Sequence, residues 1–191
     1  MKNDAFTPVL WAASAVILCG LKLWYPTAAN AQLLWLLAPV AALVSLSTGY
    51  SFQFSPELGF QADRAAAAID AGCAGINFLI VLAAFSIFTA LPRAGSRMRR
   101  LVVLAALLCG SYIAAVVINA ARISAALCLH ATGLDSGIFG TADRAHLCVS
   151  IFVFVFFLIL CSFLLNKTKE RIRAWTMKEK RDSVFFIPSG S

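Results

Sequence analysis

The sequence predicts an all-α fold: a polytopic membrane bundle of about five transmembrane helices, N-terminus outside and C-terminus cytoplasmic. Three observations carry this prediction. Hydrophobic residues make up 61% of the 191-residue chain and charged residues only 13%, against roughly 45–50% and about 25% in soluble domains. The apolar residues are gathered into runs of about membrane-spanning length. Eleven of the sixteen lysines and arginines fall in two short segments, 93–100 and 167–181. A soluble globular domain, a disordered chain and a nucleic-acid-binding domain are thereby excluded. The net charge of +7 reads as a topology signal, since cytoplasmic segments collect Lys and Arg. The basic tail also suits anionic lipid.

The chain has room for one domain, 1–165, followed by a basic cytoplasmic tail, 166–191. The spans are expected at 6–24, 31–49, 70–91, 101–129 and 147–165, because ~20 helical residues at about 1.5 Å each cross the hydrocarbon. Trp11, Trp24, Tyr25 and Trp35 sit near the ends of the first two spans, as interface aromatics do. Pro39 predicts a kink in the second span. The fourth span is longer than a bilayer needs and is expected to tilt or project. Placing the 92–100 loop and the tail inside puts 50–69 and 130–145 outside, the 25–30 turn inside and the N-terminus outside. The two outer loops hold only Arg64 and Arg144 as bases, against Glu57, Asp63, Asp135 and Asp143. A cleaved signal peptide ending near Ala29-Asn30-Ala31 is the competing reading. It would invert every later loop and expose four arginines outside.

Ionisable groups in or beside a span each require a reason. Arg122 lies 21 residues after Leu101, about 31 Å along a helix axis, near the outer rim of the fourth span. Asn119 shares its face. Snorkelling is the ordinary explanation for such an arginine, but the charge has the wrong sign for the outer side. Cys73 lies in Asp70-Ala71-Gly72-Cys73-Ala74-Gly75, in the first turn of the third span. Small residues there permit close approach, a helix N-terminus favours the thiolate, and Asp70 is placed to cap the helix. A packing cysteine is the ordinary alternative, and it suffices for the other five cysteines. His146 opens the fifth span, with Asp143 three residues before it as a cap or orienting partner. His130, at the outer end of the fourth span, is the competing base. The topology therefore sets a thiol, a guanidinium and an imidazole at one outer level on three helices. These are a nucleophile, an oxyanion stabiliser and a proton shuttle, the parts needed for acyl transfer through a thioester. No metal-ligand spacing and no phosphate loop is present, so neither a metal nor a cofactor is expected.

At these residues the chain resembles the exosortase/archaeosortase family of membrane cysteine transpeptidases, in particular its compact, exosortase K-like members. The resemblance rests on Cys73-Ala74-Gly75, Asn119-Ala120-Ala121-Arg122-Ile123 and His146, in that order, and covers roughly residues 50–165. The chain departs from the family after the histidine, where Leu147-Cys148-Val149-Ser150 stands in place of a nearby glycine. The resemblance implies an enzyme of the inner membrane, acting at its extracytoplasmic face on exported proteins that end in a short motif, a transmembrane helix and a basic cluster. It implies attack by Cys73, oxyanion or substrate binding by Arg122 oriented by Asn119, and proton transfer by His146. The acyl-enzyme would pass the protein to an acceptor amine, hydroxyl or water.

A substrate helix would dock laterally from the lipid, and the Ala-rich stretch from Ala65 to Gly75 is the expected lip. A non-catalytic membrane assembly or transporter subunit is the alternative. It expects Cys73→Ser to be silent and Arg122 to pair with an acid from another chain or from the loops. A redox enzyme would want a second cysteine beside Cys73. A lipid acyltransferase would use the same thiol on a different acyl group.

Overall fold

The computed structural model describes residues 6–63, 67–91, 96–132, 147–163 and 167. His146, Asp143, Arg93 and, apart from Lys167, the whole tail lie outside the described residues. The helices are α1 (Phe6–Trp24), α2 (Leu34–Thr48), α3 (Ile76–Ala90), α4 (Arg97–Ala131) and α5 (Leu147–Phe163). Between α2 and α3 run three short strands, β1 (Phe52–Ser55), β2 (Gly59–Ala62) and β3 (Ala68–Ile69). Four helical stretches, 6–27, 30–48, 71–90 and 97–131, are long and apolar enough to cross a membrane, and α5 is a shorter apolar helix. The chain forms two compact units, residues 1–154 and 155–191. All that follows concerns the first. In the second, Phe156 and Phe157 stack edge to face and the Lys167 ammonium lies over the Phe163 ring.

The described residues are mostly helical, as expected, with one small sheet added between α2 and α3. β1 and β2 form an antiparallel hairpin with Phe54 opposite Phe60, and β3 pairs with β2. The alternation Phe52-Gln53-Phe54 and the Phe54–Phe60 ring contact at 5.1 Å give this hairpin one aromatic face. Gly59 has φ +77°, and a Cβ there would lie 2.5 Å from the Ile69 carbonyl oxygen. Only glycine lets β2 approach β3 so closely.

The direction of α1 departs from expectation. Arg97 lies over the Phe6 ring at 5.7 Å, and Trp11 packs on Phe88. At the other end of α1, Lys22 donates to Asn77 Oδ1 at 2.5 Å and the Tyr25 hydroxyl to the Ala71 carbonyl at 2.7 Å. Helix α1 is thus antiparallel to α3, with Leu18, Ala83, Ile87 and Leu91 as their shared core. Its first residue lies at the Arg97 end of the bundle, and the 25–30 turn lies at the Cys73 end. Both placements reverse the expected ones.

The reason lies in α2. Trp35 stacks on Tyr112 of α4, and Ser47 Oγ is 2.7 Å from Ser124 Oγ. Over the interval 35 to 47 on one helix and 112 to 124 on the other, α2 runs parallel to α4. Helices α1 and α2 therefore point the same way, and alternating spans cannot be counted through them. Two 3-10 turns, Tyr25–Thr27 and Asn30–Leu33, make the return. Pro39 sits inside α2 and leaves the Trp35 carbonyl without its helical partner. The Tyr112 hydroxyl donates to that carbonyl at 2.6 Å, which replaces the missing bond.

Two further expectations shift locally. Arg97, Arg99 and Arg100 lie in the first turn of α4, behind a Ser96 cap that accepts from the Arg99 amide at 3.3 Å, and not in a loop. Cys73 is not in the first turn of α3. It occupies a separate 3-10 turn, Ala71–Cys73, and Gly75, in left-handed conformation, caps α3 itself.

Candidate functional site

Asp70 caps the 3-10 turn. Its Oδ1 accepts from the Cys73 amide at 3.1 Å, as an N-cap carboxylate does. The turn then meets α4. Asn119, 5% exposed, donates its Nδ2 to the Cys73 carbonyl at 2.5 Å. Gly75 makes this approach possible. Its φ is +75°, and a Cβ there would lie 2.9 Å from Asn119 Cγ. The Cys73-Ala74-Gly75 and Asn119-Ala120-Ala121-Arg122 segments thus pack directly on each other.

One turn beyond Asn119, Arg122 Nη1 donates to Ser150 Oγ of α5 at 3.3 Å. Its Nε and Nη2 are buried without a hydrogen-bond partner among the described residues. A buried donor left unmade costs its full desolvation, and more when charged. Arg122 also lines a cavity of about 270 Å³ whose lining includes Tyr25, Gly72, Gly75, Asn77 and Ser150, with Phe78, Phe154, Ile118 and Ile151 as apolar walls. Phe78 and Phe154 meet edge on, 5.0 Å apart. Cys73 is half-buried. Its thiol interacts electrostatically with Arg122 and Asp70, and the Tyr25 hydroxyl with all three.

Of the residues expected at the site, the structure brings together Cys73, Arg122, Asn119, Gly75 and Asp70. His146 and Asp143 lie outside the described residues. His130 is exposed in the last turn of α4, eight residues beyond Arg122. The expected docking lip is corrected at its C-terminal end. Ala74 is 1% exposed and a side chain at Gly75 would strike Asn119, so these small residues serve packing inside the bundle.

Sequence reading missed Tyr25, Asn77 and Ser150. The direction expected for α1 puts Tyr25 at the opposite membrane face. Ser150 stood out only as a departure from the family pattern, and it is the residue that holds Arg122. The chain matches no family model, no curated protein and no solved structure.

The chemistry available is that of a half-buried thiol in electrostatic contact with a half-buried cation that lines a partly apolar cavity. Such a cation stabilises negative charge that develops on a carbonyl oxygen.

Proposed function

We propose that the protein is a membrane cysteine transpeptidase or protease. It cleaves the C-terminal sorting signal of exported proteins at the outer face of the cytoplasmic membrane and transfers them to an acceptor. The observation that carries this reading is the bond from Asn119 to the Cys73 carbonyl. It brings the thiol-bearing turn to the α4 face that carries Arg122, whose Nε and Nη2 have no partner among the described residues. In this reading the Cys73 thiolate attacks the scissile carbonyl, and the developing oxyanion takes the free Arg122 donors. Collapse expels the leaving amine, protonated by His146, and leaves a thioester on Cys73. An amine, hydroxyl or water then attacks the thioester and restores the thiol.

The same unpartnered donors are compatible with a non-catalytic subunit, in which an acid from another chain would complete Arg122. Hydroxylamine separates the two readings. Added to membranes that hold the protein and its substrates, it is expected to release processed proteins as C-terminal hydroxamates, and none from the Cys73→Ala variant. A Cys73→Ser protein that supports the cell normally, with no hydroxamate formed by wild type, favours the subunit.

A further inference from the structure

The turn that carries Cys73 is fastened at both of its ends. The Cys73 amide is held by Asp70 and its carbonyl by Asn119. The Ala71 amide donates to Asn30 Oδ1 at 2.7 Å, and the Ala71 carbonyl accepts from the Tyr25 hydroxyl at 2.7 Å. Asn30 and Tyr25 are 41 and 46 residues away from Ala71 in sequence, and both come from the connection between α1 and α2. Asn30 is itself buried, and its Nδ2 donates to the Pro56 and Glu57 carbonyls of the hairpin at 3.3 and 3.0 Å. Asn30 therefore ties the β1–β2 turn to the Cys73 turn, while Tyr25 reaches it from the cavity wall.

A three-residue 3-10 turn has poor internal hydrogen bonding and little stability of its own. Its geometry is set by what holds it from outside. Chemistry at a thiol needs placement within a fraction of an ångström.

We infer that Tyr25 and Asn30 are positioning residues that clamp Ala71 from both sides and so fix where the Cys73 thiol stands relative to the Arg122 guanidinium. They touch the backbone of the nucleophile turn and not the reacting atoms. The inference rests on the roles proposed above for Cys73 and Arg122.

The test reads that geometry without any substrate. The full-length protein in phospholipid vesicles is alkylated with iodoacetate or with iodoacetamide, and modification of Cys73 is followed by peptide mass spectrometry. The two reagents differ in charge, so the ratio of their rates reports how the thiol faces Arg122. Dividing one rate by the other removes general accessibility. Tyr25→Phe, which loses one hydrogen bond, is expected to lower the preference for iodoacetate by about threefold to tenfold, and Asn30→Ala, which loses its bond to Ala71 and two to the hairpin, by at least as much. Tyr112→Phe is the control. It loses a similar bond, to the Trp35 carbonyl, about 10 Å along α4 from Asn119, and is expected to lower Tm without changing the ratio. Ratios unchanged from wild type in both Tyr25→Phe and Asn30→Ala overturn the inference, whether or not substrate processing is found. A fall in both, in a protein that processes nothing, keeps the clamp and removes the transpeptidase reading.

Discussion

Arg122→Gln is expected to slow substrate processing by about 10²- to 10³-fold, or ~3–4 kcal/mol of transition-state stabilisation. The loss should appear in kcat more than in KM, because the oxyanion exists only during reaction. Glutamine keeps a hydrogen-bonding amide but carries no charge. Lysine should rescue poorly, since a point charge cannot hold Ser150 and present further donors in one plane. The same substitution has a second expected result. Two buried donors of Arg122 have no partner among the described residues, so removing the cation relieves a desolvation cost and should leave Tm unchanged or raised. A structural arginine would behave the other way. Processing within tenfold of wild type, or a large fall in Tm, contradicts the role given to Arg122.

Gly75 should be as sensitive, for a backbone reason. Its left-handed conformation costs any other residue about 1–2 kcal/mol. A Cβ would also meet Asn119 Cβ at 3.2 Å and Nδ2 at 3.1 Å. The Asn119 Cβ is anchored to α4, so relief requires the helix or the Cys73 turn to shift. Either shift breaks the Asn119 bond to Cys73. Gly75→Ala is expected to lower processing by about 100-fold, the effect of a displacement near 1 Å. Gly75→Leu should abolish processing while the protein still inserts in the membrane. The measurement is the rate of substrate cleavage per inserted enzyme. Normal processing by Gly75→Leu would show that the contact between the Cys73 turn and α4 has no part in activity.

The helices were legible because burial in lipid demands apolar length. The limits expected for the first span coincide with α1, and the expected fourth span lies inside α4. The meeting of Asn119 with the Cys73 turn was legible in part, as a shared level on different helices. Direction was not legible through α2. Hydropathy counts apolar residues and carries no sign, and aromatic residues such as Trp11 and Trp24 mark both faces alike. One helix running parallel to its predecessor reverses the parity of everything before it. The same reversal takes Tyr25 out of the site expected from sequence. The hairpin is not legible in the sequence because its strands are four residues long and β2 opens on Gly59, too short a stretch for alternation to stand out. Ser150 could not be read at all, since nothing in the sequence of α5 indicates which of its faces meets α4.

The central claim is that Cys73 is a nucleophile toward exported proteins. The most direct measurement compares intact C-termini across the membrane proteome of the source cell, with Cys73 present and with Cys73→Ala made at the same level. The account predicts a set of exported proteins that keep their C-terminal helix and basic cluster only in the Cys73→Ala cells. In cells with Cys73 the same proteins should end at a shared motif, and any added mass there identifies the acceptor. Identical C-termini in both cells, with those proteins expressed, would contradict the account and leave Cys73 a packing residue.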